Sequence, residues 1–195
     1  MRRLVCLAAL GFRAAAGQAQ EVHGPYAGVS LGSFSYQQNE KGPFGIPFSD
    51  SNSSYRLFGG YQLNSAYGIE VGWQKTGDFT QSFSGFDPTV GNQSIDLATS
   101  YEIKTLRLVL LAPFSSISMY GAVGYYDADI EGTLLYRDQT QVVESKGTDS
   151  DNGATVAGGV QFDLKKVSIR GEYEWFKARS GIDTNNISVG VLFMF

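Results

Sequence analysis

Arg56, Glu70, Arg107, Arg170, Glu172 and Glu174 each lie in a segment whose alternate residues are apolar, and each occupies the polar phase of its segment. Side chains of one phase of a strand share one face. Three cations and three anions gathered on such a face can do one of two things: pair into a hydrogen-bonded network, or line a narrow path for ions. Other chemistries have weaker footing. His23, the single histidine, precedes the first alternating segment and has no evident partner to activate. Cys6, the single cysteine, lies in the apolar start of the chain and is too early to follow a complete export signal, so a lipoprotein cysteine is not expected. Asp149-Ser150-Asp151-Asn152-Gly153 superficially resembles a calcium loop. Its glycine falls where an oxygen ligand is required, and no glutamate closes it at the right distance. These residues give no catalytic, cofactor or metal site, and the chain is not expected to be an enzyme.

The elements that must position the six charges read as strands. The chain has 195 residues, with 24 glycines, 13 phenylalanines and 11 tyrosines, and the period of its apolar residues is two rather than 3.6. Eight segments emerge, at 26–37, 54–64, 67–76, 100–112, 117–127, 154–164, 167–177 and 186–195. Upstream of them, Arg2 and Arg3, the apolar run from Leu4 to Phe12, and Gly17-Gln18-Ala19 read as a secretory signal. The expected domains are therefore a signal at 1–19 and one strand domain at 20–195. Ala14-Ala15-Ala16 offers a competing cleavage point. Removing the signal takes away three arginines and makes an already acidic chain, formal net charge −4, more so. That leaves no basic footprint for nucleic acid. No stretch after the signal has the roughly 18 apolar residues that a membrane helix needs.

The links between the segments alternate in length. Short ones follow the second, fourth and sixth segments (Ser65-Ala66, 113–116 and Lys165-Lys166), and long ones follow the first, third, fifth and seventh. This alternation predicts an all-β, eight-stranded antiparallel up-and-down transmembrane barrel, with short turns and both termini at the periplasmic end. The charges decide which face is inside: Tyr55, Leu57, Tyr61, Ile69, Val71, Trp73, Ile169, Tyr173 and Trp175 face lipid, and Arg56, Glu70, Arg170, Glu172 and Glu174 face the lumen. Two segments change phase. Leu106, Leu108 and Leu110 contradict Tyr101 and Ile103, and Val29 and Leu31 contradict Phe34 and Tyr36. A bulge, or a strand rising above the bilayer, would account for each.

The segments Phe58-Gly59-Gly60-Tyr61-Gln62-Leu63, Tyr67-Gly68-Ile69-Glu70-Val71-Gly72-Trp73 and Arg170-Gly171-Glu172-Tyr173-Glu174-Trp175, together with the final Ser188 to Phe195, resemble those of OmpA/OmpX-like eight-stranded outer-membrane barrels. The resemblance implies an outer-membrane location, outer-membrane lipid and lipopolysaccharide as surroundings, and delivery by the barrel insertion machinery. It leaves function open among structural anchors, adhesins and complement-evasion proteins. The expected role is structural or surface-interacting, carried by long extracellular loops with an unidentified extracellular ligand, in a monomer. A narrow passive pore is the alternative, and a lipid-modifying enzyme a more distant one. Phe44, Phe48, Phe79, Phe83 and Phe86 in the first two loops either form a binding surface or pack on one another. The third loop can rise as a hairpin, with 130–136 facing 140–144 across 137–139, whose edge could recruit a partner strand. In this reading Phe193 and Phe195, on the last apolar face, carry the assembly signal. Deleting Phe195 is expected to lower the fraction of chain recovered as folded barrel in outer membranes, and unchanged insertion would contradict that role.

Overall fold

Alternating β-branched and aromatic residues favour strands, and a strand in lipid needs a hydrogen-bonded neighbour on both edges. The computed structural model describes residues 24–38, 48–87, 91–137, 142–178 and 183–195. These form nine antiparallel strands: β1 (Gly24–Gln38), β2 (Phe48–Gln62), β3 (Tyr67–Thr76), β4 (Phe79–Asp87), β5 (Gly91–Phe114), β6 (Ile117–Arg137), β7 (Val142–Leu164), β8 (Val167–Ala178) and β9 (Asp183–Met194). Every strand but β4 pairs on both edges. The ring runs β3-β2-β1-β9-β8-β7-β6-β5 and shuts through β3–β5. The predicted eight-stranded up-and-down barrel is thus the observed architecture. The chain end is part of the closure, with Val29 opposite Val191 between β1 and β9, and the Phe195 amide donating to the Pro25 carbonyl at 3.1 Å. The signal segment and His23 lie outside the described residues.

Three ring strands extend far past the expected bounds at the end opposite the short turns. β7 begins at Val142 rather than near 154, β6 runs to Arg137 rather than 127, and β5 begins at Gly91 rather than near 100. At 21 to 24 residues each, these strands are roughly twice the ~9–11 residues a bilayer crossing requires. Much of what read as loop is therefore sheet. Beyond the membrane, β4, β5, β6 and β7 continue side by side as a protruding four-stranded sheet. The third link is a hairpin as expected, but its register differs: Tyr136 faces Val143 and Arg137 faces Val142. The pairing register is offset by three residues from the predicted one, which has Tyr136 facing residue 140.

β4 reverses the phase of β3. It lies in line with β3, both pairing with β5, and Lys75 faces Glu102 while Phe79 faces Thr99. Three residues, Thr76, Gly77 and Asp78, thus stand opposite Tyr101 and Ser100. This is a one-residue bulge, and the Tyr101 amide donates to Thr76 Oγ1 across it. The bulge lies beside β5, whose own phase is continuous along β6 from Ser94 to Phe114. β1 is continuous too. Neither a bulge in these strands nor a loss of phase above the bilayer explains Tyr101, Ile103 and Phe34. They face inward, as described below.

Outside, the lipid-facing phase is as read: Leu57, Val71, Leu106, Val123, Val156, Ile169 and Val189 are exposed, with Tyr55, Tyr61, Tyr67, Phe114, Tyr125, Phe162, Tyr173 and Phe193 among the aromatics of this face. At the short-turn end Ser115 and Lys165 adopt φ 63°, a left-handed conformation that costs a side-chain-bearing residue about 1–2 kcal/mol and that glycine tolerates. Lys165→Gly should therefore stabilise the barrel, by about 0.5–1 kcal/mol once glycine's greater unfolded-state entropy is offset. Urea unfolding in lipid vesicles measures this, and a loss of stability would show that the lysine side chain outweighs the backbone strain.

Candidate functional site: the lumen and the protruding sheet

Eight strands enclose a space that side chains can fill, and here the strands bring all six predicted charges into it. Arg56 enters from β2, Glu70 from β3, Arg107 from β5, and Arg170, Glu172 and Glu174 from successive inward positions of β8. All are buried. The Arg56 guanidinium donates to Glu70 at 3.2 Å, Glu172 at 3.2 Å, Glu174 at 3.1 Å and Thr105 at 3.0 Å. Arg107 donates to Glu172 at 2.8 Å, to Glu174 at 2.9 Å and to Glu70. Arg170 reaches Glu70 at 2.7 Å and spreads its remaining donors over Gln161. Three positive and three negative charges balance. Burying charge is costly unless each is paired and hydrogen-bonded, and a balanced network with several bonds per group meets that condition.

Further residues complete the network that the charge pattern alone did not single out. Tyr26 donates to Glu70 at 3.0 Å and Thr155 to Glu174 at 2.8 Å. The Arg170 guanidinium carbon lies 4.2 Å from the centroid of the Tyr120 ring and 5.3 Å from that of Phe58, within cation–π range. Space for these large groups comes from inward glycines. A Cβ on Gly72 would stand 2.6 Å from the Arg56 guanidinium and 2.7 Å from Thr105, and one on Gly60 would meet the Tyr26 ring at 2.6 Å. The signal was present in the sequence as glycines and tyrosines sharing the inward phase with the charges.

Two different compartments flank the network. Toward the short turns, a vestibule of about 320 Å³ is lined by Gln62, Ser118, Gln161, Asp163, Lys165 and Met194 among others. Its carboxylate, Asp163, accepts from Ser118, Gln161 and Ser168. Toward the protruding sheet the lumen turns apolar. Phe34, Phe79, Ile103, Tyr126, Ala128 and Phe176 form one buried cluster against Tyr101, with Phe34 ring centroids 6.2, 5.6 and 5.8 Å from Phe79, Tyr101 and Phe176. This explains both phase changes: Phe34, Tyr101 and Ile103 face inward because the outer third of the lumen is aromatic rather than charged. Phe79, a candidate loop-surface aromatic, belongs to this plug. Among the network side chains, the gap bounded by Arg56, Arg107, Arg170 and Glu172 is about 10 Å³, no larger than one water requires.

A profile of the Outer membrane protein beta-barrel domain matches residues 4–195. The chain belongs to that family. Its members are outer-membrane proteins, so the outer membrane is the location of this barrel. No curated protein matches it in sequence. Among solved structures, Ail, the attachment invasion locus protein of Yersinia pestis, matches at 18% identity and TM-score 0.55, over 88% of this chain and 99% of Ail. The N-terminal β-barrel domain of Pseudomonas aeruginosa OprF matches at 12% identity and TM-score 0.53, over 89% of this chain and all of that domain. Likeness at such identity shows the fold.

The protruding sheet is the second candidate. Its outer surface is ionic: Arg137 lies 3.9 Å from Asp96 and Lys146 3.1 Å from Glu144, and below them, where β5 pairs with β3, Lys104 donates to Asp129 at 3.0 Å. Its other surface carries Phe83, Ile95, Leu97, Leu134, Tyr136 and Val143 in one phase. Acidic side chains outnumber basic ones across it, with Glu102, Asp127, Glu131, Asp149 and Asp151 added to those paired above. Asp129, Glu131, Asp149 and Asp151, which lie between the predicted segments at 117–127 and 154–164, all stand on β6 and β7.

The lumen geometry gives two sharp expectations. Glu70→Ala leaves three buried arginines facing two glutamates and should cost about 3–5 kcal/mol. Gly72→Ala drives a methyl group into the Arg56 guanidinium and should destabilise by about 1–3 kcal/mol. Denaturant unfolding of the refolded barrel measures both, and a neutral Gly72→Ala would show that Arg56 can move aside.

Proposed function

We propose that this chain is a surface-interaction protein, in which a filled barrel anchors an extracellular four-stranded sheet that makes the contacts. The observation that carries this reading is the disproportion between the two ends. β5, β6 and β7 rise far beyond the membrane, whereas the opposite end has turns of two to four residues. Strand extended this far is not needed for anchoring. It positions a rigid surface away from the bilayer, as exposed binding segments on rigid scaffolds do. The short-turn end, with Gly24 and Phe195, is then the periplasmic one. Outer-membrane lipid and lipopolysaccharide surround the exposed apolar belt, and the insertion machinery reads the Phe193 and Phe195 face.

The lumen supports the same choice. An aromatic plug stacked on a neutral ion network favours an anchor over a conducting path, and its titratable groups are occupied with one another rather than poised as acid and base. Ail has been crystallised with the heparin analogue sucrose octasulfate. For the chain described here a polyanion is a poor match, because Lys104, Arg137 and Lys146 already have carboxylate partners and acidic residues outnumber basic ones around them. The partner is cationic or neutral.

Gly132 faces Gly147 across the hairpin, so replacing residues 132–147 with a two-residue turn should leave the barrel below untouched. Cells displaying the shortened protein are expected to lose most of their attachment to surfaces coated with a cationic protein. The barrel's unfolding midpoint should be unchanged. Full attachment by the shortened protein would refute the surface-interaction reading.

A further inference from the structure

The vestibule at the short-turn end is a blind pocket. Arg170 and Tyr26, both bonded to Glu70, line its inner end, and behind them the charge network leaves a gap of only about 10 Å³. Its own volume of about 320 Å³ lies within the roughly 300–1,000 Å³ of small-molecule sites. A molecule that enters must leave by the same mouth, so the chamber suits retention rather than passage.

Two opposite charges line this pocket without an ion pair. Asp163 of β7 accepts from Ser118 of β6 at 3.1 Å, from Gln161 at 2.8 Å and from Ser168 of β8 at 2.6 Å. Among the described residues no cation pairs with it. Its three donors are neutral and buried, so they fix the carboxylate in place without cancelling its charge. Oδ2 accepts the Ser118 hydroxyl alone and keeps capacity for a further donor. Lys165, at the mouth, is exposed and likewise has no carboxylate partner among the described residues. It is held at φ 63°, and backbone strain of this kind concentrates at functional sites. Arg170 differs, because Glu70 matches its charge at 2.7 Å.

The remaining wall is apolar. Leu111, Leu192 and Met194 are the edges of two buried clusters, and with Pro113 they give an aliphatic group a face away from water. Met194 is unbranched and adapts to chains of different shape. We propose that the vestibule binds a zwitterion of amino-acid size, with its ammonium on Asp163, its carboxylate on Lys165 and an aliphatic side chain against Leu111, Leu192 and Met194. A simple amine leaves Lys165 unmatched, and a simple carboxylate leaves Asp163 so. A zwitterion matches both, and pairing in a partly enclosed pocket is stronger than in open water. The site is independent of what the protruding sheet contacts.

The test uses the full protein in bilayer nanodiscs, with isotope-labelled methionine methyl groups observed by NMR during titration with L-leucine. Met194 lines the pocket, whereas Met119 is exposed on the lipid-facing surface and serves as the internal control. A saturable shift of the Met194 methyl resonance is expected, with Met119 unmoved. Isopentylamine, which lacks the carboxylate, and isocaproate, which lacks the ammonium, should each bind at least tenfold more weakly than leucine. Asp163→Asn should weaken leucine binding at least tenfold. Lys165→Gly should do the same while relieving the strained turn, so its loss of binding cannot come from unfolding, and Lys165→Arg should retain binding. Leucylglycine distinguishes two sources of the same chemistry: tighter binding than leucine assigns the pocket to the ends of short peptides, weaker binding to free amino acids, and the charge pairing stands in either case. An absent saturable shift of Met194, single-charge analogues that bind as tightly as leucine, or unmoved binding in both Asp163→Asn and Lys165→Gly would overturn the proposal.

Discussion

A backbone amide in hydrocarbon has no water to turn to, and the closed hydrogen-bond ladder that answers this constraint determines the rest of the molecule. Closure requires the last strand to meet the first, which β9 does along β1 with the Phe195 amide bonded to Pro25. It also requires β3 to reach β5, leaving β4 displaced upward as an extension. Once eight strands close, the interior is too narrow to stay empty and too wide to vanish. Each inward position must be filled, and large residues need glycines beside them, as Arg56 needs Gly72 and Tyr26 needs Gly60.

What fills the interior follows from energetics rather than from any demand of the fold. Three arginines and three glutamates bury their charge because every one is matched, with Thr105, Thr155, Tyr26 and Gln161 taking up other bonds. Replacing such a network by apolar groups is often neutral in stability, whereas breaking it is not. Its retention beneath an aromatic plug gives the lumen two unlike layers. Both oppose water, one by matching charges and one by excluding polarity.

The barrel was legible in the sequence because its signals are local and repeated: period-two alternation, short and long links in turn, and charges confined to one phase. The six lumen charges were legible for the same reason, since phase alone assigns them a face. The plug was harder to see. Phe34, Tyr101 and Ile103 obey the inward phase, yet they looked like errors because the rule of a polar lumen was applied to a lumen that changes character along its axis. The height of β5, β6 and β7 was also hidden. Above the membrane one surface of the sheet is polar and the other mixed, so alternation weakens and acidic strand residues such as Asp149 and Asp151 read as loop. The bulge at Gly77 reverses the phase between β3 and β4, which broke the pattern where the extension begins.

Under the proposed surface-interaction role these parts divide the labour, the membrane half filled for stability and the outer half making contacts. The proposition is most exposed at the lumen, since a working pore would move function from the sheet to the barrel. Single-channel recording of the purified full-length protein in planar bilayers is the direct measurement. The arrangement of plug above ion network predicts no resolved unitary steps above leak. Reproducible, stable unitary conductance from the wild-type protein would contradict it.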